Sequence, residues 1–199
     1  MSENDVWQKY SAVTSESAAR PRLLETLNTF FPSFAGMALD LGCGGGRDTR
    51  ELLKRGWSVD ALDANESALT LVSSLQTNDN RLNLIPQHFE DARFEKEYYD
   101  LINASASLPF CSLKELKVLW QKLLSSLKPG GIISCDFFGI NDEWNDGTHG
   151  SMSFLSKADV EELLENLKTE SLAEKEMIGP TALGASKHWH IFTCIARRI

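Results

Sequence analysis

Nothing in this chain approaches the roughly 18 consecutive apolar residues that a membrane-spanning helix needs. Paired cysteines are absent too. Cys43, Cys111, Cys135 and Cys194 are widely scattered, and without a C-x-x-C pair the spacing offers neither zinc nor dithiol chemistry. Four free thiols suit a reducing, cytoplasmic setting. Positive charge is scarce: 20 Lys and Arg against 28 Asp and Glu leave a formal net charge of -8. An acidic surface repels phosphate backbones, and no basic cluster compensates, Arg197-Arg198 being a strand end. The sequence therefore implies no nucleic-acid partner and no membrane. Its first ten residues, MSENDVWQKY, are polar and acidic, unlike a signal peptide. Repeats, low-complexity segments and linkers are missing as well. What remains is an ordinary globular mixture, 42% hydrophobic and 24% charged over 199 residues, which suits one domain.

Apolar runs bounded by turn residues alternate with stretches of helical period. MALDLG (37–42) reads as a buried strand, followed by a helix from about Arg47 to Arg55 with Leu52 and Leu53 toward the sheet. SVDALD (58–63) is a second strand, and Asn65 is placed to cap the helix that carries Ala68, Leu69, Leu71, Val72 and Leu75. LNLIPQHF (82–89) is a third strand, interrupted or ended near Pro86. YDLINAS (99–105) is a fourth, and residues 112–127 form a helix with a strong apolar face. The turn KPGG (128–131) feeds a strand at 132–139. Ser156 with Asp159 opens a further helix as an acidic capping box. Two last strands, near 169–178 and 188–197, are joined by PTALGAS and must be antiparallel, because a parallel crossover needs a dozen or more residues. The pattern predicts one open α/β domain, a mostly parallel sheet with helices on both faces.

Gly42, Gly44, Gly45 and Gly46 crowd directly behind the first strand, around Cys43. In such a sheet ligands bind beyond the carboxyl ends of the strands, where glycines permit close approach and a helix N-terminus presents free N–H groups. Asp63, 21 residues beyond Gly42, sits where a second-strand acid accepts hydrogen bonds from ribose hydroxyls. The pattern thus points to a nucleoside cofactor. The dinucleotide fingerprint G-x-G-x-x-G needs a small third residue, yet either register places Arg47 or Thr49 there. That mismatch opposes a nicotinamide-dependent oxidoreductase.

The spacing Gly42-x-Gly44-x-Gly46 within LDLGCGGGRDT instead resembles motif I of the class I S-adenosylmethionine-dependent methyltransferases, with Asp40 as its leading acid. ALDAN, FED (89–91), YDLINASASL, LKPGG and HWHIFTCIARR resemble successive further segments of that family. Within it, LDLGCGxGRDT…GxxVxAxDxN looks most like the tellurite-resistance and thiopurine methyltransferase branch. The resemblance implies a Rossmann-like, seven-stranded, mostly parallel sheet of order 3-2-1-4-5-7-6 with the last strand antiparallel. It implies one domain over 1–199, whose residues 1–35 form an N-terminal helical segment over the cofactor site. Carried over by motif, Asp40, Gly42, Cys43, Gly44 and Gly46 would cradle the amino-acid part of S-adenosylmethionine. Asp63 would bind the ribose, Ala64 and the Phe89–Glu90 turn would lie beside the adenine, and Asn103 and Ala104 would meet the methionine portion. Tyr10 and Arg20 could fold over the carboxylate or simply pack, and Arg47 is either a site residue or a surface one.

Methyl transfer from a sulfonium needs alignment and a dry pocket rather than a fixed acid or base, and the chain has no nucleophile–His–Asp set. The fourth strand also lacks an N-P-P-Y signature, which disfavours amino-methylation of adenine or glutamine. Phe110, Phe138, Trp144, His149 and Phe154 are candidates for an aromatic acceptor pocket or for ordinary core. His149, in a glycine-rich loop, is the foremost candidate for a catalytic base, with His188 and His190 either structural or proton acceptors. His188 and His190 share a strand face, but without a third ligand at suitable spacing they imply no metal. The expectation is methyl transfer to a small molecule such as a thiol or oxyanion. A non-catalytic S-adenosylmethionine sensor is the alternative, and the oligomeric state is not legible.

Overall fold

The computed structural model describes residues 3–76 and 78–199, so Met1, Ser2 and Thr77 of the expected 1–199 domain lie outside the described residues. Helices α1 (Glu3–Thr14) and α2 (Pro21–Phe30) precede the first strand, β1 (Met37–Leu41). There follow α3 (Arg47–Lys54), β2 (Ser58–Asp63), α4 (Glu66–Ser73), β3 (Leu82–Pro86) and β4 (Tyr99–Ala104). After a 3-10 turn at Leu108–Phe110 come α5 (Leu113–Ser126), β5 (Leu127–Gly139), β6 (Phe154–Leu155), α6 (Lys157–Leu164), β7 (Leu167–Pro180) and β8 (Ser186–Arg198).

The strand order is β3-β2-β1-β4-β5-β8-β7, with β8 antiparallel to both neighbours and the central pairs parallel. This is the expected topology with one correction. Among the described residues the sheet has eight strands, because the two-residue β6 pairs with β5 at Phe138 and Gly139 and shifts the numbering of the last two. Two residues carry no alternation for a sequence pattern to detect. KPGG lies inside the span of β5, yet it is looped out of the ladder: pairing jumps from Tyr99↔Leu127 to Leu101↔Ile132.

Alternation along the strands feeds two cores. Leu39, Leu41 and Ile102 pack with α5 and α6 on one face, including Trp120, whose indole N–H donates to the Leu163 carbonyl at 2.9 Å. Ala38, Val59 and Ala61 pack with α2, α3 and α4 on the other, where Leu52 and Leu53 face the sheet. Local capping sets where the helices begin. Asn65 accepts from the Ala68 N–H at 3.1 Å, and Ser112–Glu115 and Ser156–Asp159 form complete capping boxes. Among the described residues no helix is long and apolar enough to cross a membrane.

Candidate functional site

At the carboxyl ends of β1, β2 and β4 lies a cavity of about 580 Å³, in the size range of small-molecule and cofactor sites. Its wall is the loop Gly42–Gly45 with Asp63, Ala64 and Phe89, closed by α1 through Trp7, Tyr10 and Ser11.

Each glycine of the loop answers a different constraint. Gly42, at φ +70, abuts the post-β4 loop, and an added Cβ would lie 2.6 Å from that of Ser107. Gly44, at φ +52, has room for a Cβ, which would make ordinary contact with Tyr10 at 3.8 Å and Ser11 at 3.9 Å, so its left-handed backbone is what favours glycine there. Gly45 lies under α1, where a Cβ would run into the Ser11 carbonyl and Ser15. Gly46, at φ +81, backs onto Val72 and Leu75. Gly42, Gly45 and Gly46 let protein approach protein.

Asp63 ties this loop to β2. Its carboxylate accepts the Gly44 N–H at 2.9 Å and the Asn65 N–H at 2.8 Å. Burial raises its pKa, and those N–H groups oppose the rise. One carboxylate thus shapes the cradle and still faces the cavity with lone pairs to spare.

Asp40 and Asn103 lie behind the loop, outside the cavity lining. Asp40 accepts from Thr49 Oγ1 at 2.6 Å and from Asn103 Nδ2 at 2.8 Å. Burial, with the nearby Asp48 charge, pushes its pKa up to about 6. Asn103 also donates to Asp48 at 3.3 Å, and Asp48 accepts from the Arg20 guanidinium and backbone N–H, both at 2.8 Å. Arg20 donates in turn to the Tyr10 hydroxyl at 3.0 Å. Burial opposes the Arg20 charge, but Tyr10 and Asp48 outweigh it and its pKa rises. Arg47, beside it, has the opposite balance: burial and the Arg20 charge lower its pKa. Its Nε is buried with no partner among the described residues.

Of the residues singled out from sequence, Gly42, Cys43, Gly44, Asp63, Ala64 and Phe89 line the cavity, as do Tyr10, Arg20, Arg47 and Phe110. Asp40, Gly46, Glu90, Asn103 and Ala104 do not. The Cys43 thiol is buried, and burial, then the Asp40 and Asp63 charges, push its pKa up, which leaves it inert. His149 stands outside the lining. Its ring stacks on Trp144 at 5.5 Å and its Nδ1 lies 3.1 Å from Asp146. Trp7, His88, Ala106 and Ser107 also line the cavity, and sequence reasoning missed them. Ala106 and Ser107 fall in the segment YDLINASASL that the resemblance covers, whereas Trp7 carries no motif and only the tertiary fold brings it to the cavity.

Phe110 continues the cavity wall into a chain of rings. It packs edge-on against Trp7 (4.7 Å) and Phe138 (5.8 Å), and Phe138 meets Trp144, Phe154 and Trp189. Beneath them Lys187, almost fully buried and ion-paired to Asp142, places its Nζ 3.9 Å from the Trp144 and Trp189 centroids. That lysine is therefore not an open anion-binding charge.

His188 and His190 do share a face, and β7 brings Glu174 and Glu176 to it. Ligand atoms of Glu174, Glu176 and His190 lie within 4.8 Å of one another. His190 Nδ1, however, accepts the Asn141 N–H at 3.1 Å, so the neutral ring carries its proton on Nε2 and donates it to Glu174. No lone pair on that ring faces the carboxylates.

Residues 38–131 match the family described as methyltransferase domain. Over 96 residues the chain is 32% identical to an uncharacterized methyltransferase of Synechocystis sp., a match covering 48% of this chain and 44% of that protein. The chain thus spans less than half the length of that curated relative. Among solved structures, TehB from Haemophilus influenzae superposes with a TM-score of 0.79 at 15% identity, covering 96% of this chain and 66% of that one. The N-methyltransferase NodS from Bradyrhizobium japonicum, in complex with S-adenosyl-L-homocysteine, gives 0.73 at 14% identity, covering 98% and 97%. At such identities the likeness shows a shared fold.

Proposed function

We propose that this chain is a class I S-adenosylmethionine-dependent methyltransferase that transfers the cofactor's methyl group to a small-molecule acceptor by in-line displacement. The observation that carries the reading is the polarity of the cavity along its glycine loop. At the Gly44 end stand Arg20, Tyr10 and Arg47, whose buried Nε lacks a partner. At the Gly42 end stand Phe89 and the post-β4 loop, and the Asp63 carboxylate is fixed to the loop by the Gly44 N–H. A ligand that carries a carboxylate, a ribose and a purine matches those partners. Gly44, without a side chain between Tyr10, Ser11 and the cavity, leaves the backbone bare for it.

In this reading Arg47 pairs with the methionine carboxylate, Asp63 accepts from the ribose hydroxyls, and Phe89 packs on the purine. Bound S-adenosylmethionine supplies the electrophilic methyl carbon and a thioether leaving group. The chain's contribution is alignment and exclusion of water: Trp7 and Phe110 in edge contact wall the cavity with apolar surface. His149, held outside by Trp144 and Asp146, takes no part. An acceptor already anionic, or with a soft lone pair, needs no base.

The test is release of S-adenosylhomocysteine with a panel of thiols, oxyanions, phenols and amines. Turnover with at least one acceptor, and only a modest loss in His149→Ala, is expected. Tight cofactor binding with no turnover on any acceptor would make the chain a sensor. Loss of all activity in His149→Ala with cofactor binding intact would restore that histidine as the base.

A further inference from the structure

Beside Gly42, the residues after β4 hold two features that neither the packing nor the proposed roles explain. Ala106 has φ +53, in the left-handed region that an L-residue with a Cβ adopts at a cost in energy. Its N–H donates to the Asp136 carboxylate at 3.2 Å, and Asp136 faces the Arg22 guanidinium at 3.8 Å, so the strained turn is held from below. Next to it Ser107, only 4% exposed, lines the cavity with a hydroxyl that is buried and unpartnered among the described residues. Neighbouring buried serines are satisfied: Ser105 donates to Asn103 at 2.9 Å, Ser126 to the Leu123 carbonyl at 2.9 Å, and Ser134 accepts from Thr26 at 3.3 Å. Native structures seldom leave such a group without a partner, which beside a cavity is water, an ion or a ligand.

The position says which part of a ligand would do so. An atom at the Gly42 Cβ position would lie 2.6 Å from Ser107 Cβ and 3.4 Å from the Phe89 ring, so Ser107 and Phe89 flank one spot. The cationic side of the cavity is by Gly44, which stands near Tyr10, the hydrogen-bond partner of Arg20. We infer that Ser107 is a cofactor-contacting residue, its hydroxyl turning about the Cα–Cβ bond on binding to hydrogen-bond the adenosine half of S-adenosylmethionine. This rests on the proposed cofactor. A serine has one such torsion and three staggered positions for it, and the strained Ala106 keeps the residue at the cavity wall.

Calorimetric titration of wild type, Ser107→Ala and the volume-keeping Ser107→Cys with two probes, S-adenosylhomocysteine and 5′-methylthioadenosine, tests this alongside thermal melts of the free proteins. The expected result is that Ser107→Ala binds both probes about three- to tenfold more weakly, the span of one neutral hydrogen bond. Its ligand-free melting temperature should equal or exceed that of wild type, since an unsatisfied polar group has been removed, and Ser107→Cys should lose affinity for both probes as well. Unchanged affinity in both variants would overturn the inference, as would a loss confined to S-adenosylhomocysteine, which would move the contact to the amino-acid half. A fall in ligand-free stability parallel to the loss of binding would make Ser107 structural and overturn it too. If wild type itself binds neither probe, the cofactor reading fails first and carries this inference with it.

Discussion

At the scale of single residues, three aspartates that look alike in sequence do different work. Asp60 and Asp63 both belong to SVDALD. Asp60 is buried and accepts from the Tyr99 hydroxyl at 2.7 Å and from Asn83 at 2.9 Å. Asp60→Ala should therefore cost about 1–3 kcal/mol of stability by orphaning Tyr99, with cofactor affinity unchanged in the folded protein. Asp63→Ala should weaken S-adenosylhomocysteine binding by about 1.5–3 kcal/mol. From the sequence Asp63 merely faces the crevice, and little stability should depend on it. The structure corrects that, because the Gly44 and Asn65 N–H groups would lose their acceptor. Urea melts and calorimetry on both variants separate the two; equal losses of binding would contradict the assignment. Asp40 adds a pH dependence. Its pKa rises from an ordinary 3.8 to about 6, so the folded state holds that proton more tightly than the unfolded chain. The stability this contributes is fully present below about pH 4 and is lost as pH rises through about 6. Asp40→Asn should flatten that segment of a Tm-against-pH curve; an unchanged slope between pH 4 and 6 would contradict it.

At the scale of elements, the caps and the glycine loop were legible because they rest on local chemistry. Asn65 and Ser156 cap the helices that their side chains predict, and Pro86 ends β3. What was not legible depends on distant partners. The 42–46 run reads as four glycines serving one ligand, whereas Gly45 is there for α1 and Gly46 for α4. Two residues of β6 and the strained turn at Ala106 leave no periodic trace. Gly45→Ala tests the packing of α1. A methyl there meets the Ser11 carbonyl and Ser15, so α1 must lift. Amide exchange along residues 5–14 should quicken, with a stability loss of about 1–3 kcal/mol, and the cofactor should bind more weakly because Tyr10 and Ser11 leave the wall. Exchange rates in α1 equal to wild type would show that the helix does not depend on that contact.

For the whole molecule, the topology gathers one cavity from positions as far apart as Trp7 and Phe110. Strand and helix alternation predicts the open, mostly parallel sheet, and the family resemblance implies its order. Of the side chains expected there Asp63 and Phe89 reach the cavity, whereas Asp40 and Asn103 turn toward each other beneath the loop. The central claim is that this cavity takes S-adenosylmethionine or its product rather than a dinucleotide. Calorimetric titration of the wild-type chain with S-adenosylhomocysteine and, separately, with NAD measures it most directly. The account predicts saturable one-to-one binding of S-adenosylhomocysteine, weakened about tenfold or more in Asp63→Ala, and no heat from NAD. Binding of NAD alone, or S-adenosylhomocysteine binding indifferent to Asp63→Ala, would contradict it.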